Sequence, residues 1–127
     1  MQDRLSPEFI RPWARFYGSG GVSEEWATLD TGSFFTLIPW AMAEDLGYHP
    51  AAARTHVQVA TASGIVRAPL IRLDAVAAAG WRVTDVEAIC LDLPPQARRR
   101  CLLGFSFLQH FDIDLHLKSA HFELRDP

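Results

Sequence analysis

The segment Trp26–Pro39, WATLDTGSFFTLIP, constrains this chain more than any other. Two apolar runs flank the tetrapeptide Asp30-Thr31-Gly32-Ser33. Ala27, Thr28 and Leu29 read as a strand that delivers Asp30 into a turn. A buried strand does not end in a carboxylate without a reason, because an unpaired buried charge costs several kcal/mol. Gly32 lets the backbone turn tightly and approach a neighbouring segment. Thr31 and Ser33 place hydroxyls on either side of it, and Ser33 is expected to donate to the ionised Asp30. The competing reading is a plain Asp-Thr-Gly-Ser surface turn between two strands.

A second stretch, Cys101–Phe111, reads CLLGFSFLQHF: the apolar pair Leu102-Leu103, then Gly104, then a short apolar segment. Together the two stretches resemble the retropepsin-like aspartic proteases. In that family an apolar strand leads into Asp-Thr/Ser-Gly-Ala/Ser, and an apolar-apolar-Gly motif follows much later in a second ψ-shaped loop. The resemblance runs from Glu25 to Leu124 and is similar to the bacterial branch, where the second motif reads like LLGxSFL and precedes a terminal hairpin. It departs from the viral pattern at Phe34, where viral members carry an acid, and at Phe105, where they carry an arginine.

The resemblance implies an all-β domain, a small closed β-barrel of the retropepsin-like acid protease type with one or two short helices. It implies an aspartic endopeptidase in which Asp30, Thr31 and Gly32 are the catalytic set. One such Asp per chain cannot supply the two carboxylates this chemistry needs, so a homodimer with Asp30 on the twofold axis is expected. Asp112, Asp114, Asp74 and Asp85 lack the surrounding motif and do not serve as an internal partner. Thr31 is read as the residue that bonds across the dimer under the two aspartates. Substrate-binding or dyad-supporting roles fall on Ser33, Phe34, Ala62, Ser63, Gly64, Ile65, Leu103 and Gly104, with Phe35 and Val66 as further apolar subsite residues. The expected partner is an extended polypeptide substrate. No cofactor and no metal is needed, because the dyad itself activates water. Two other readings stay open: a catalytically silent dimerisation or peptide-binding module of the same fold, and a structural domain of a larger protein.

Composition is consistent with this. A chain of 127 residues, 49% apolar and 21% charged, suits one soluble domain. The net charge of −3 excludes a general nucleic-acid footprint, and Arg98-Arg99-Arg100 reads as a solvated loop. No apolar run is long enough to span a membrane. The N-terminus lacks signal-peptide order, so a cytoplasmic location is expected, or a periplasmic one if a signal segment was removed. Cys90 and Cys101 are too few for a disulfide framework and are expected to be buried free thiols.

Along the chain, residues 1–21 read as an N-terminal arm ending in the flexible link Gly18-Ser19-Gly20-Gly21, and residues 22–127 as the protease domain. Strands are expected over Val22–Leu29 and Thr36–Ile38. A short helix is expected over Pro39–Leu46, with Pro39 at its first position and Gly47 as its terminator. His56–Ala60 and Ile65–Leu73 alternate on either side of Thr61-Ala62-Ser63-Gly64 and form a hairpin. By position it resembles the retropepsin flap, and an ordinary hairpin is the alternative. Trp81–Leu91 reads as a strand and Gly104–His110 as a short helix. Phe111–Leu117 is a strand with Phe111, Ile113, Leu115 and Leu117 on one side, and His121–Arg125 is the returning strand. His110, Asp112, Asp114 and His116 raise a metal site, but their flat i, i+2 spacing favours a polar solvent face.

Overall fold

The computed structural model describes residues 11–61, 63–95 and 100–126. Its strands are β1 (Trp13–Gly18), β2 (Gly21–Leu29), β3 (Thr36–Ile38), β4 (His56–Thr61), β5 (Gly64–Ala78), β6 (Trp81–Cys90), β7 (Cys101–Leu103), β8 (Asp112–His116) and β9 (His121–Arg125). Two short helices, α1 (Trp40–Asp45) and α2 (Phe105–Leu108), complete it with a 3-10 turn at Pro50–Ala52. Hydrogen bonding runs β1-β2-β7-β3-β6-β5, and β5 pairs back onto β1, which closes a six-stranded barrel. Closure leaves these strands no free edges. β4 lies outside the ring as a hairpin with β5, and β8–β9 form a separate two-stranded sheet.

β5 makes closure possible because it is long. Its first residues pair with β4, Leu70 onward with β6, and Ala75–Ala78 with β1. Ala79 and Gly80 join β5 to β6 with φ of 54° and 84°. Two positive φ values in a two-residue loop match the strand twist of a tight hairpin.

β1 corrects the expected arm and link. Trp13–Gly18 pairs with β2 on one side and β5 on the other, so it is a full barrel strand. Ala14 and Phe16 point into the core while Trp13 and Arg15 face out. Gly18 to Gly21 is the tight turn into β2 rather than a flexible link. Tyr48 ties this strand down: its hydroxyl accepts the Asp74 N–H at 2.8 Å and lies 3.2 Å from the Tyr17 carbonyl oxygen. Burial holds the Tyr48 pKa above its ordinary value. Phe9 and Ile10 of the expected arm lie outside the described residues.

Smaller differences have local causes. Pro39 sits at the N-cap of α1 in extended conformation rather than at its first turn. Gly47 terminates that helix with φ 95°, as expected. On the terminal hairpin Phe111, Ile113, Phe122 and Leu124 reach the main core, whereas Leu115 and Leu117 are about half exposed. The hairpin is its own sheet, so only the part beside the barrel is covered; there Trp81 Nε1 donates to the Leu124 carbonyl at 2.8 Å.

The main core contains Phe16, Ile38, Leu46, Leu73, Val76, Val86, Leu103 and Phe107. A smaller cluster of Leu37, Ala68, Ile89 and Leu102 lies on the other side of the β7–β3 sheet. Val57 and Val59 of β4 pack against that cluster, so the β4–β5 hairpin folds over this face. β7 is therefore apolar on both faces, Leu103 inward and Leu102 toward the hairpin.

Cys90 and Cys101 are free thiols in the main core. Burial pushes both thiol pKa values up to about 12. A raised folded-state pKa gives stability that is complete below the ordinary thiol value of about 8.5 and is lost as pH rises toward 12. At pH 8 neither thiol of the folded chain should react with a thiol reagent, and both should react once denaturant unfolds it. Prompt labelling of the native protein would contradict the burial of these side chains.

Candidate active site

The loop carrying Asp30 is built by strand order. β7 lies between β2 and β3, parallel to the first and antiparallel to the second. The chain leaving β2 must cross the end of β7 to reach β3, and Asp30–Phe35 is that crossing. The Asp30 N–H donates to the Leu103 carbonyl at 3.0 Å, which continues the β2–β7 ladder by one residue. Returning bonds fix the other side: Phe105 N–H to Ser33 O at 2.9 Å and Ser106 N–H to Phe34 O at 2.6 Å.

Gly104 sits where the two segments meet. A Cβ there would lie 2.7 Å from the carbonyl carbon of Phe35 and 2.8 Å from the carbonyl oxygen of Phe34. Only glycine lets the Asp30 loop rest on the end of β7.

Asp30 is partly exposed at the lip of this crossing. Its Oδ1 accepts the Gly32 N–H at 3.0 Å, which fixes the carboxylate relative to its own loop. The expected donation from Ser33 is not what the loop forms. Ser33 Oγ donates instead to the Phe35 carbonyl at 2.9 Å, so its hydroxyl braces the backbone. Thr31 and Gly32 are exposed beside Asp30, and Phe34 is about half exposed with its ring edge-on to Phe35 at 5.0 Å. Phe105, the other departure from the viral pattern, is also exposed.

Of the hairpin residues, Ser63, Gly64 and Ile65 are exposed at its turn, and Ala62 lies outside the described residues. Thr61 Oγ1 donates to the Gly64 carbonyl at 2.7 Å, and Gly64 has φ 126°. Val66 is half-buried, one position along from the outward Ile65. Other carboxylates are held elsewhere: Asp114 by Arg125 at 2.8 Å, Asp92 by the Trp40 N–H at 3.1 Å, and Asp74 beside Tyr48.

Sequence reasoning missed two residues that hold the loop. Thr36 and Ser106 are both buried. Ser106 Oγ accepts the Thr36 N–H at 3.0 Å and donates to Thr36 Oγ1 at 3.0 Å, and Thr36 Oγ1 also accepts the Gly104 N–H at 3.3 Å. This cluster locks β3, the Gly104 corner and α2 together just beneath the Asp30 loop. The signal was a single hydroxyl inside each apolar run, FFTLI and LLGFSFL. Ser106→Ala leaves the Thr36 N–H buried without its partner, and stability should fall by about 1–3 kcal/mol. Urea unfolding should show a lower midpoint at unchanged slope; an unmoved midpoint would mean that the cluster carries no load.

The sequence matches the family model of the aspartyl proteases over residues 18–107. No curated protein matches it. Among solved structures, it is similar to a retropepsin-like aspartic protease from Rickettsia conorii, at 20% identity and a TM-score of 0.62, covering 84% of each chain. It is also similar to the protease of simian foamy virus, at 19% identity and a TM-score of 0.51, covering 78% of this chain and 91% of that one. These likenesses show the fold, a closed barrel of the retropepsin type. The family match takes in both the Asp30 crossing and the Gly104 corner beneath it, and by that match the chain belongs to the aspartyl protease family.

Proposed function

We propose that this chain is an aspartic endopeptidase that works as a homodimer, with the Asp30 carboxylates of two copies forming the catalytic dyad. The observation that carries the reading is Asp30 itself. It stands at the exposed end of a barrel strand, oriented by the Gly32 N–H, and the other carboxylates placed above are engaged elsewhere. A second copy supplies what one chain lacks. Thr31, exposed next to Asp30, is suited to bond across the axis beneath the pair.

Two carboxyls held close together share one proton, because like charges resist joint ionisation. The ionised Asp30 takes a proton from a water molecule as the water oxygen attacks the peptide carbonyl carbon. The protonated Asp30 of the other copy gives its proton to the carbonyl oxygen. The resulting gem-diol collapses when a proton reaches the amide nitrogen and the C–N bond breaks. The substrate lies extended beneath the β4–β5 hairpins, which act as flaps over the face bearing Leu102 and Leu37. Ser63, Gly64 and Ile65 are the flap residues that meet it. Main-chain bonding of the strand-addition kind supplies affinity, and Phe34 and Phe35 contribute apolar contact.

The test is digestion of a peptide library over a range of enzyme concentrations. Cleavage is expected, and its rate per chain should fall steeply once concentration drops below the dimer dissociation constant. A constant rate per chain down to fully monomeric protein would overturn the shared dyad. Peptide capture without hydrolysis would point to a silent binding module.

A further inference from the structure

A cavity of about 620 Å³ opens beside β2, lined by Trp26, Thr28, Leu93, Pro94, Pro95 and Arg100 among others. Asp30 is not part of its wall, but Thr28 connects the two. Thr28 and Asp30 are at i and i+2 on one strand, so they emerge on the same side of the sheet about 7 Å apart. The alternate residues, Ala27 and Leu29, belong to the main core. Thr28 also pairs with Leu102 of β7, whose side chain faces the β4–β5 hairpin. The cavity therefore begins about 7 Å from the carboxylate, two residues back along the chain, and extends away toward the start of β2.

Its chemistry is unusual at one point. Among the described residues, the Thr28 hydroxyl is the one buried side-chain oxygen or nitrogen with no hydrogen-bond partner. Thr28 is 2% exposed. A buried hydroxyl without a partner destabilises the fold, and valine has nearly the same shape without that penalty. The remaining wall is mostly apolar, with Trp26 and the Leu93-Pro94-Pro95 run suited to stack on an aromatic ring. Four charged residues also line it: Glu25 pairs with Arg100 at 2.8 Å, Asp92 accepts the Trp40 N–H, and Arg11 stands beside them.

We infer that Thr28 is a specificity-determining residue, whose hydroxyl hydrogen-bonds the polar end of an aromatic peptide side chain, of the tyrosine class, seated in this cavity next to the scissile bond. The inference rests on the proposed peptide-cleaving site and names a substrate class for it. In the free chain the hydroxyl is closed off, and a rotation of about 120° about χ1, which carries the oxygen into the place of the methyl group and the methyl group into that of the hydrogen, presents it to the ligand. A site built around a buried hydroxyl discriminates against ligands that leave it unpaired.

The experiment separates this from catalysis by using Asp30→Asn protein, which binds without cleaving. The probes are fluorescent six-residue peptides, apolar except that tyrosine or phenylalanine occupies each position in turn, and anisotropy gives their affinities. At one position tyrosine should bind about tenfold more tightly than phenylalanine. Adding Thr28→Val should erase the difference, Thr28→Ser should keep it, and Thr28→Val alone should raise the melting temperature of the free protein. Equal affinities at every position, or a preference that survives Thr28→Val, would overturn the inference. Whether the wild-type chain cleaves the same peptides is read separately, so failure of the protease reading shows as uncut peptide and not as a lost tyrosine preference.

Discussion

Asp30→Asn should abolish the proposed peptide hydrolysis and leave the barrel folded. Asparagine has nearly the same shape, and its carbonyl oxygen can still accept the Gly32 N–H that orients the carboxylate at 3.0 Å. The Asp30 N–H bond to Leu103 is main-chain and does not change. What disappears is the capacity to take a proton from water. Loss of a positioned general base lowers rate by about 10²–10⁴-fold, and in a symmetric dimer both halves of the dyad are removed at once, so the upper end is expected. Circular dichroism and the urea midpoint should match the parent, because the group is partly exposed and its loop is held by backbone bonds. Cleavage at the parental rate by purified Asp30→Asn protein would remove Asp30 from the mechanism. A collapse of the urea midpoint would instead mean that the carboxylate supports the fold.

The Asp30 loop was legible in the sequence because its residues are contiguous. Asp30, Thr31 and Gly32 announce themselves between two apolar runs, and an acid in that place demands an explanation. Strand periodicity showed the hairpin outside the ring: β4 alternates exposed and half-buried residues, and the chain reverses between Thr61 and Gly64 as expected. What one dimension hides is partnership across the fold. Thr36 and Ser106 meet only because β7 is threaded between β2 and β3, and a lone hydroxyl in an apolar run carries no mark of its partner.

β1 was hidden for a different reason. Its inward residues, Ala14 and Phe16, alternate properly, but Trp13 and Tyr17 on the outward side blur the apolar-polar pattern. The neighbouring glycines then suggest a link where the chain makes a hairpin turn. Ser33 shows the limit for hydroxyls. Residue type says that it can donate, but the backbone decides that Phe35 O, and not the Asp30 carboxylate, is within reach.

Gly104→Ala should cost this fold more than any other single methyl group near the site. The residue has φ −99°, a value open to every amino acid, so backbone freedom is not why glycine stands there. The reason is space. A Cβ would press on the main chain of Phe34 and Phe35, with contacts at 2.7 and 2.8 Å, and main chain cannot rotate away as a side-chain tip can. Relief would require lifting the Asp30 loop off the end of β7. That strains the Phe105–Ser33, Ser106–Phe34 and Gly104–Thr36 bonds together. Overpacking alone costs about 1–3 kcal/mol, and loosening these bonds adds to it, so a loss on the order of 3 kcal/mol or more is expected, a large share of a domain's stability. Gly80 supplies the contrast. It has φ 84°, and a Cβ there would meet nothing within 4 Å, so Gly80→Ala incurs only the left-handed backbone penalty of about 1–2 kcal/mol. Urea titration of both variants should rank Gly104→Ala well below Gly80→Ala. Gly104→Ala protein that folds should also lose the proposed hydrolysis, because displacing the loop moves Asp30 away from the twofold axis proposed for the dimer. Parental stability in Gly104→Ala would show that the loop does not rest on β7 as closely as these contacts require.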